Sequence, residues 1–290
     1  MTILNLTAPS LLHLGCVWAE QVCELGLTLQ FPQIQMAAHA APTLEISGAC
    51  ADIALDEAER LIVKYQRPLP ASIEIETAIP LHMGLGGQTM LRESLRLVYQ
   101  HWHNISGSFR SQLAGHAATH GGLILANDDG LIQRHAELPH DCPNDQDDWV
   151  IVLILPNTPA DWAEDSEAQR SATLRRSVQP NWPDGTALFA AAEQRDFAAF
   201  AHALAAIHTA NEHTLDMPVS TDNRTALDLL RTHGAAMAGR MLTGLGVFGL
   251  VQGGPASREV RAALQQHYGY FGPLIMASVC DGKGIRASNL

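Results

Sequence analysis

Apolar and polar residues along this chain repeat with a period of two in some stretches and near 3.6 in others, the marks of strands and helices. Residues 3–14 predict a strand interrupted at Ala8-Pro9-Ser10, and residues 25–31 and 43–47 predict two more. Residues 56–66 place Ala58, Leu61, Ile62 and Tyr65 on one helical face, and Pro68 and Pro70 end that helix. Over residues 71–80, Ile73, Ile75 and Thr77 alternate with Glu74 and Glu76, a strand with one wet face. A helix follows over 89–103, with Leu91, Leu95, Val98, Tyr99 and Trp102 at helical spacing. A short helix is expected over 111–119. Residues 123–126 and 131–133 flank Asn127-Asp128-Asp129-Gly130 as a hairpin.

The second half starts with an uninterrupted apolar run, residues 149–155, a strand buried on both faces. Residues 158–179 are polar and predict a loop with a helix. Residues 186–211, 225–240 and 257–267 predict helices, and 274–280 a last strand. The acidic, proline-containing stretch 139–148 is the expected boundary, giving domains 1–148 and 149–290. Strands mixed with helices in this order indicate an α+β fold.

Composition narrows the function. The chain is 47% hydrophobic and 17% charged, enough for a sizeable core. A formal net charge of -12 argues against nucleic acid, yet a few main-chain N–H groups and an arginine can still hold a small phosphate. Cys16, Cys23, Cys50, Cys142 and Cys280 are scattered with no C-x-x-C pair, so reduced thiols are expected. Residues 1–10 lack a signal-peptide pattern, and no apolar run is long enough for a membrane span; a cytoplasmic protein is expected.

The candidate chemistry centres on His82-Met83-Gly84-Leu85-Gly86-Gly87-Gln88-Thr89, between a strand and a helix. Glycines let the chain approach a ligand, and the first helical turn offers unpaired N–H groups at a positive dipole end. The segment is neither a P-loop, which ends Gly-Lys-Ser/Thr, nor a Rossmann loop, since Thr89 stands where the last glycine or alanine belongs.

This loop resembles the second motif of the GHMP kinase superfamily, and more specifically the His-x-Gly-Leu-Gly-Ser-Gly-Thr-Gln loop of β-ribofuranosylaminobenzene 5′-phosphate synthases. Residues 8–15 are similar to that family's Pro-Ser-Arg-Leu-His-Phe-Gly opening. Leu25-Gly26-Leu27-Thr28-Leu29 resembles its Ile-Gly-Leu-Ala-Leu strand, and Arg110-Ser111 with His120-Gly121-Gly122 its Arg-Ser…Gly-Gly stretch. The resemblance implies a two-lobed fold with a ribosomal S5-like N-terminal half and a ferredoxin-like C-terminal half. It also implies condensation of phosphoribosyl diphosphate with a benzoate, with loss of pyrophosphate and CO2, in tetrahydromethanopterin biosynthesis. Its implied site has His13, His82 and Glu167 as catalytic candidates and Gly84, Leu85, Gly86, Gly87, Gln88 and Thr89 on the diphosphate. Ser10, Arg110, Ser111, Thr243, Gly244 and Gly246 would contact substrate, with Mg2+ as cofactor. The expected partner is a small phosphorylated molecule, with no nucleic acid or membrane and a homodimer left open.

The sequence also departs from the family. Leu11 stands in place of the family's arginine, and Thr243-Gly244-Leu245-Gly246-Val247 replaces its Ser-Ser-x-Gly-Pro. An ATP-dependent GHMP small-molecule kinase and a non-catalytic paralogue are therefore alternatives. His116 and His120 have helical metal spacing but lack the protease acid. Glu164, Asp165 and Glu167 read as a solvated acidic loop, and Lys283 and Arg286 as cations facing ligand or solvent.

Overall fold

In the computed structural model, residues 3–105, 112–127, 129, 131–157, 166–214 and 220–289 are described, excluding the side chains of Ile3, Gln112, Ser166, Glu167, Ala168 and Asn289. Arg110 and Ser111 lie outside the described residues, as does the side chain of Glu167.

Two long strands, β1 (Ile3–Trp18) and β2 (Val22–Ala40), form a hairpin that organises the first sheet. Beyond β2 come β3 (Glu45–Gly48), α1 (Ala51–Tyr65), β4 (Ala71–Thr77), α2 (Gly87–His103), α3 (Gln112–His120), β5 (Leu123–Asn127) and β6 (Ile132–Ala136). The end of β2 pairs with β4 and its beginning with β5, so one strand serves two branches of the sheet. The predicted break at Ala8-Pro9-Ser10 is a register shift inside one continuous strand, because Pro9 cannot donate to the ladder but can sit at an irregularity.

The rest of the chain forms β7 (Trp149–Leu155), α4 (Ser166–Ser177), α5 (Thr186–Gln194), α6 (Phe197–Glu212), α7 (Thr221–Thr232), β8 (Met237–Arg240), β9 (Val247–Gln252), α8 (Gly254–Tyr268), β10 (Leu274–Val279) and β11 (Arg286–Asn289). The second sheet is antiparallel in the order β10-β7-β9-β8. Strand β7 is apolar throughout because both its faces are covered. Val152 and Ile154 pack with Leu227, Leu230, Val260 and Leu264. Trp149, Ile151 and Leu153 join the larger core, where the Trp149 ring lies tilted against Phe200 of α6 with centroids 4.9 Å apart. Strand β11 returns to the first sheet and pairs with β1.

Two expected helices differ. Residues 186–211 split at Arg195, whose left-handed backbone ends α5, and Asp196, whose carboxylate accepts from Ala199 N–H at 3.0 Å to start α6. Residues 225–240 are not one helix: α7 ends at Thr232, Gly234 has φ 104°, and Met237 belongs to strand β8. The rhythm of Leu227, Leu230 and Met237 spans two elements.

His208 of α6 sits against Phe248, with Nε2 2.8 Å from the Arg240 carbonyl oxygen. Burial holds its pKa below the ordinary 6.5, outweighing the opposing pull of the Arg240 carbonyl and Glu212. The unfolded chain therefore binds a proton first, and stability falls as pH drops through 6.5. His208→Gln keeps an N–H donor but cannot titrate. It should flatten the dependence of Tm on pH below that value, measured by calorimetry; an unchanged slope would refute the assignment.

Candidate active-site cleft

The glycine loop is brought to a junction between the two sheets. Gly86 is the left-handed N-cap of α2, with φ 65°, and a Cβ there would stand 3.1 Å from Leu11 Cβ. Leu11 N–H donates to the Leu85 carbonyl at 2.9 Å, fixing the loop on β1. His82 has φ 64°, and its carbonyl accepts from Leu245 N–H at 3.0 Å. Gly84 and Gly244 meet face to face: a Cβ on Gly84 would lie 2.7 Å from Met241 Cβ and 3.0 Å from Gly244 N. The two glycine segments thus pack backbone against backbone, as the absence of side chains allows. Gly84, Leu85 and Gly87 are buried, while Gly86, Gln88 and Thr89 are half-buried at the first turn of α2. Thr243, Gly244 and Gly246 are buried in the facing segment.

Beside this junction lies a buried polar group that the sequence reading missed in part. Cys16 is opposite Glu24 across the β1–β2 ladder, and His13 is opposite Gly26. Residues three apart on a regular strand point to opposite faces. A register shift between His13 and Gly15 inserts one residue, so His13 and Cys16 share the face of Glu24. One ligand atom each from His13, Cys16 and Glu24 lie within 4.8 Å of one another. Gly15, at φ 135°, makes room for Asn211 of α6. The Asn211 side-chain oxygen accepts from Cys16 N–H at 2.7 Å, and its amide donates to the Cys16 carbonyl at 2.9 Å.

Helix α4 closes over this group. Ser171 Oγ donates to Glu24 Oε1 at 2.8 Å, and Arg175 Nε stands 3.8 Å from the same oxygen. Leu174 packs with Cys16 and Leu242, and Arg170 donates to the Gly244 carbonyl at 3.2 Å. Positions 170, 171, 174 and 175 fall on one helical face, which links the polar group to the second glycine segment. Burial alone would raise the Glu24 carboxyl. The His13 ring, the Ser171 hydroxyl and the Arg175 guanidinium outweigh it and hold the group below 4.5, so it is ionised at neutral pH. His13 Nε2 stands 3.5 Å from Glu24 Oε1, and neither ring nitrogen of His13 makes a hydrogen bond.

Among the sequence candidates, this junction thus gathers His13, the glycine loop and the Thr243–Gly246 segment; that last range is the turn between β8 and β9. Ser10 is buried with no hydrogen-bond partner for its hydroxyl, and strand alternation sends it to the face away from His13. Arg286 pairs with buried Asp281 at 2.6 Å, and the Lys283 backbone N–H donates to the same carboxylate. His116 and His120 have ring centroids 6.3 Å apart and join no metal-type group among the described residues. Cys16, Glu24, Arg170, Ser171, Arg175 and Asn211 carried no local motif. The glycine at position 15 was the one hint of a bulge.

This architecture is a two-lobed α+β fold of the GHMP-kinase type. A homoserine kinase from Cytophaga hutchinsonii is similar over 99% of this chain and 97% of its own, with TM-score 0.67 and 12% identity. The mevalonate diphosphate decarboxylase from Enterococcus faecalis, which binds ATP by a mechanism mediated by mevalonate diphosphate, is similar over 100% of both chains at TM-score 0.60 and 15% identity. A structure carrying MVAPP, AMPPCP and magnesium also covers 100% of both chains, at TM-score 0.61 and 15% identity. No protein-family model and no curated protein matches the sequence. Among the described residues, no helix is long and apolar enough to cross a membrane.

Proposed function

We propose that the protein is an enzyme acting on a small phosphorylated molecule, a phosphoribosyl-transferring synthase like the β-ribofuranosylaminobenzene 5′-phosphate synthases. The observation that carries this reading is the convergence on one junction between the sheets of two glycine segments, an arginine-bearing helix face and the buried His13–Glu24 pair. Residues 1–148 and 149–290 would be the two lobes.

The first turn of α2 and the loop from Gly84 to Thr89 would hold the diphosphate, with Arg170 adding positive charge. The C1–oxygen bond to pyrophosphate would break as the carboxylate-bearing ring carbon of the benzoate bonds to C1. The carbon–carboxylate bond would then break, releasing CO2 and restoring the aromatic ring. Charge developing on pyrophosphate would meet donors already in place. His13 and Glu24 would line the acceptor end. Magnesium would be supported by a structure of the same fold that carries it with AMPPCP, but the His13–Cys16–Glu24 group does not suit it. It demands oxygen ligands, whereas Glu24 has a histidine nitrogen and a cysteine sulfur for neighbours. No step is assigned to it.

Pyrophosphate and CO2 release from phosphoribosyl diphosphate with 4-aminobenzoate or 4-hydroxybenzoate tests the proposal. Phosphoribosyl diphosphate should also raise Tm. Arg170→Ala should raise its KM about tenfold, one charge-assisted contact at roughly 1.4 kcal/mol. Absence of both Tm protection and turnover would end the synthase reading. The kinase alternative is favoured by the fold shared with a homoserine kinase. ATP hydrolysis that depends on a small alcohol, without phosphoribosyl diphosphate protection, would select it.

A further inference from the structure

We infer that His13, Cys16 and Glu24 form a binding site for a divalent transition-metal ion of the zinc class. A histidine nitrogen, a cysteine sulfur and a carboxylate oxygen are the donor types such an ion takes, at bond lengths near 2.0–2.3 Å. Two ligands on a tetrahedral ion with such bonds lie about 3.5 Å apart. His13 Nε2 and Glu24 Oε1 are 3.5 Å apart, too far for a good hydrogen bond and right for a shared ion. All three residues are buried, and both His13 ring nitrogens lack a hydrogen-bond partner. A buried polar group without a partner is costly, and an ion would supply one.

The surroundings are arranged for this. Asn211 clamps the Cys16 backbone on both sides, and the bulge at Gly15 aims His13 and Cys16 together. Ser171 and Arg175 hold Glu24 from outside, as outer partners orient ligands in metal sites. A carboxylate offers about four lone-pair sites, so these contacts leave room for an ion. A divalent ion with a thiolate, a carboxylate and a neutral imidazole carries no net charge of its own, and the Arg175 guanidinium 3.8 Å from Glu24 Oε1 adds one positive charge beside it. Three protein ligands leave one of the four positions of a tetrahedral ion unfilled by the chain. The inference does not rest on the synthase reading, since it concerns the protein without substrate.

Titration of metal-free protein with Co2+ and Zn2+, in the absence of phosphoribosyl diphosphate, tests the site. The expected result is one equivalent bound at micromolar concentration or tighter, with a sulfur-to-cobalt charge-transfer absorption and a rise in Tm on adding Zn2+. Cys16→Ser should abolish that absorption, and His13→Gln should weaken binding by more than the roughly 100-fold an outer partner costs. Cys142→Ser, in which a thiol near Asp148 is removed, should change neither. Wild-type protein that binds only at millimolar concentration, or shows no sulfur band, overturns the inference whatever the variants do. So does a band that survives in folded Cys16→Ser, checked by circular dichroism. Metal binding with neither turnover nor thermal protection by phosphoribosyl diphosphate would leave this site standing and remove the synthase; turnover in metal-free protein that binds no ion would do the reverse.

Discussion

Asn211→Ala will lower the melting temperature by about 3–8 °C, the largest stability effect expected of a single polar substitution here. The side chain is fully buried and joins α6 to β1 by one bond from Cys16 N–H and one to the Cys16 carbonyl. A third bond goes to the Ile207 carbonyl at 2.8 Å. Alanine removes all three and opens a void beside Gly15. Each deserted buried group costs about 1–3 kcal/mol, so a total of roughly 2–5 kcal/mol is expected after relaxation. Asn211→Asp separates the contributions, since it keeps the acceptor for Cys16 N–H and loses both donors. Chemical denaturation of the three proteins gives the values. A loss under about 1 kcal/mol for alanine would mean that the clamp is not what holds the bulge.

Gly244→Ala should have the next largest effect, and on ligand binding as well as stability. A Cβ there would collide with Gly84 N, Met83 C and Gly84 Cα, all main-chain atoms that cannot rotate away. Overpacking of this kind costs about 1–3 kcal/mol and displaces the Gly244 carbonyl from Arg170. The thermal protection given by phosphoribosyl diphosphate should disappear with it. Gly254→Ala is the control: a Cβ there meets only side-chain atoms of Asp145 and Arg258, at 3.0 and 3.2 Å, and both side chains are largely exposed. It should shift stability by about 0.5 kcal/mol or less. Equal losses in the two variants would deny the glycine pair any special role.

Elements with strong local pattern were legible in the sequence. The run 149–155 is a strand over that range, and residues 89–103 lie within α2. The glycine loop was found because its chemistry is contiguous. The buried group at Cys16 was not, because the strand parity of His13 and Cys16 argues against a shared face until one knows that the ladder slips at Gly15. Arg170 and Arg175 read as part of a polar stretch, and only the packing of Leu174 against Cys16 and Leu242 turns that stretch toward the cleft. Strand β8 is four residues long, too short to show a period of its own.

The pairing of β11 with β1 bears on how the protein is made. Leu4 and Asn289 are ladder neighbours, although almost the whole polypeptide separates them. As the chain emerges from the ribosome, the outer flank of β1 has no neighbour until Arg286–Asn289 arrives. Until that moment the hairpin carrying His13 and Cys16 presents a bare flank to other nascent chains, the condition in which association competes with folding.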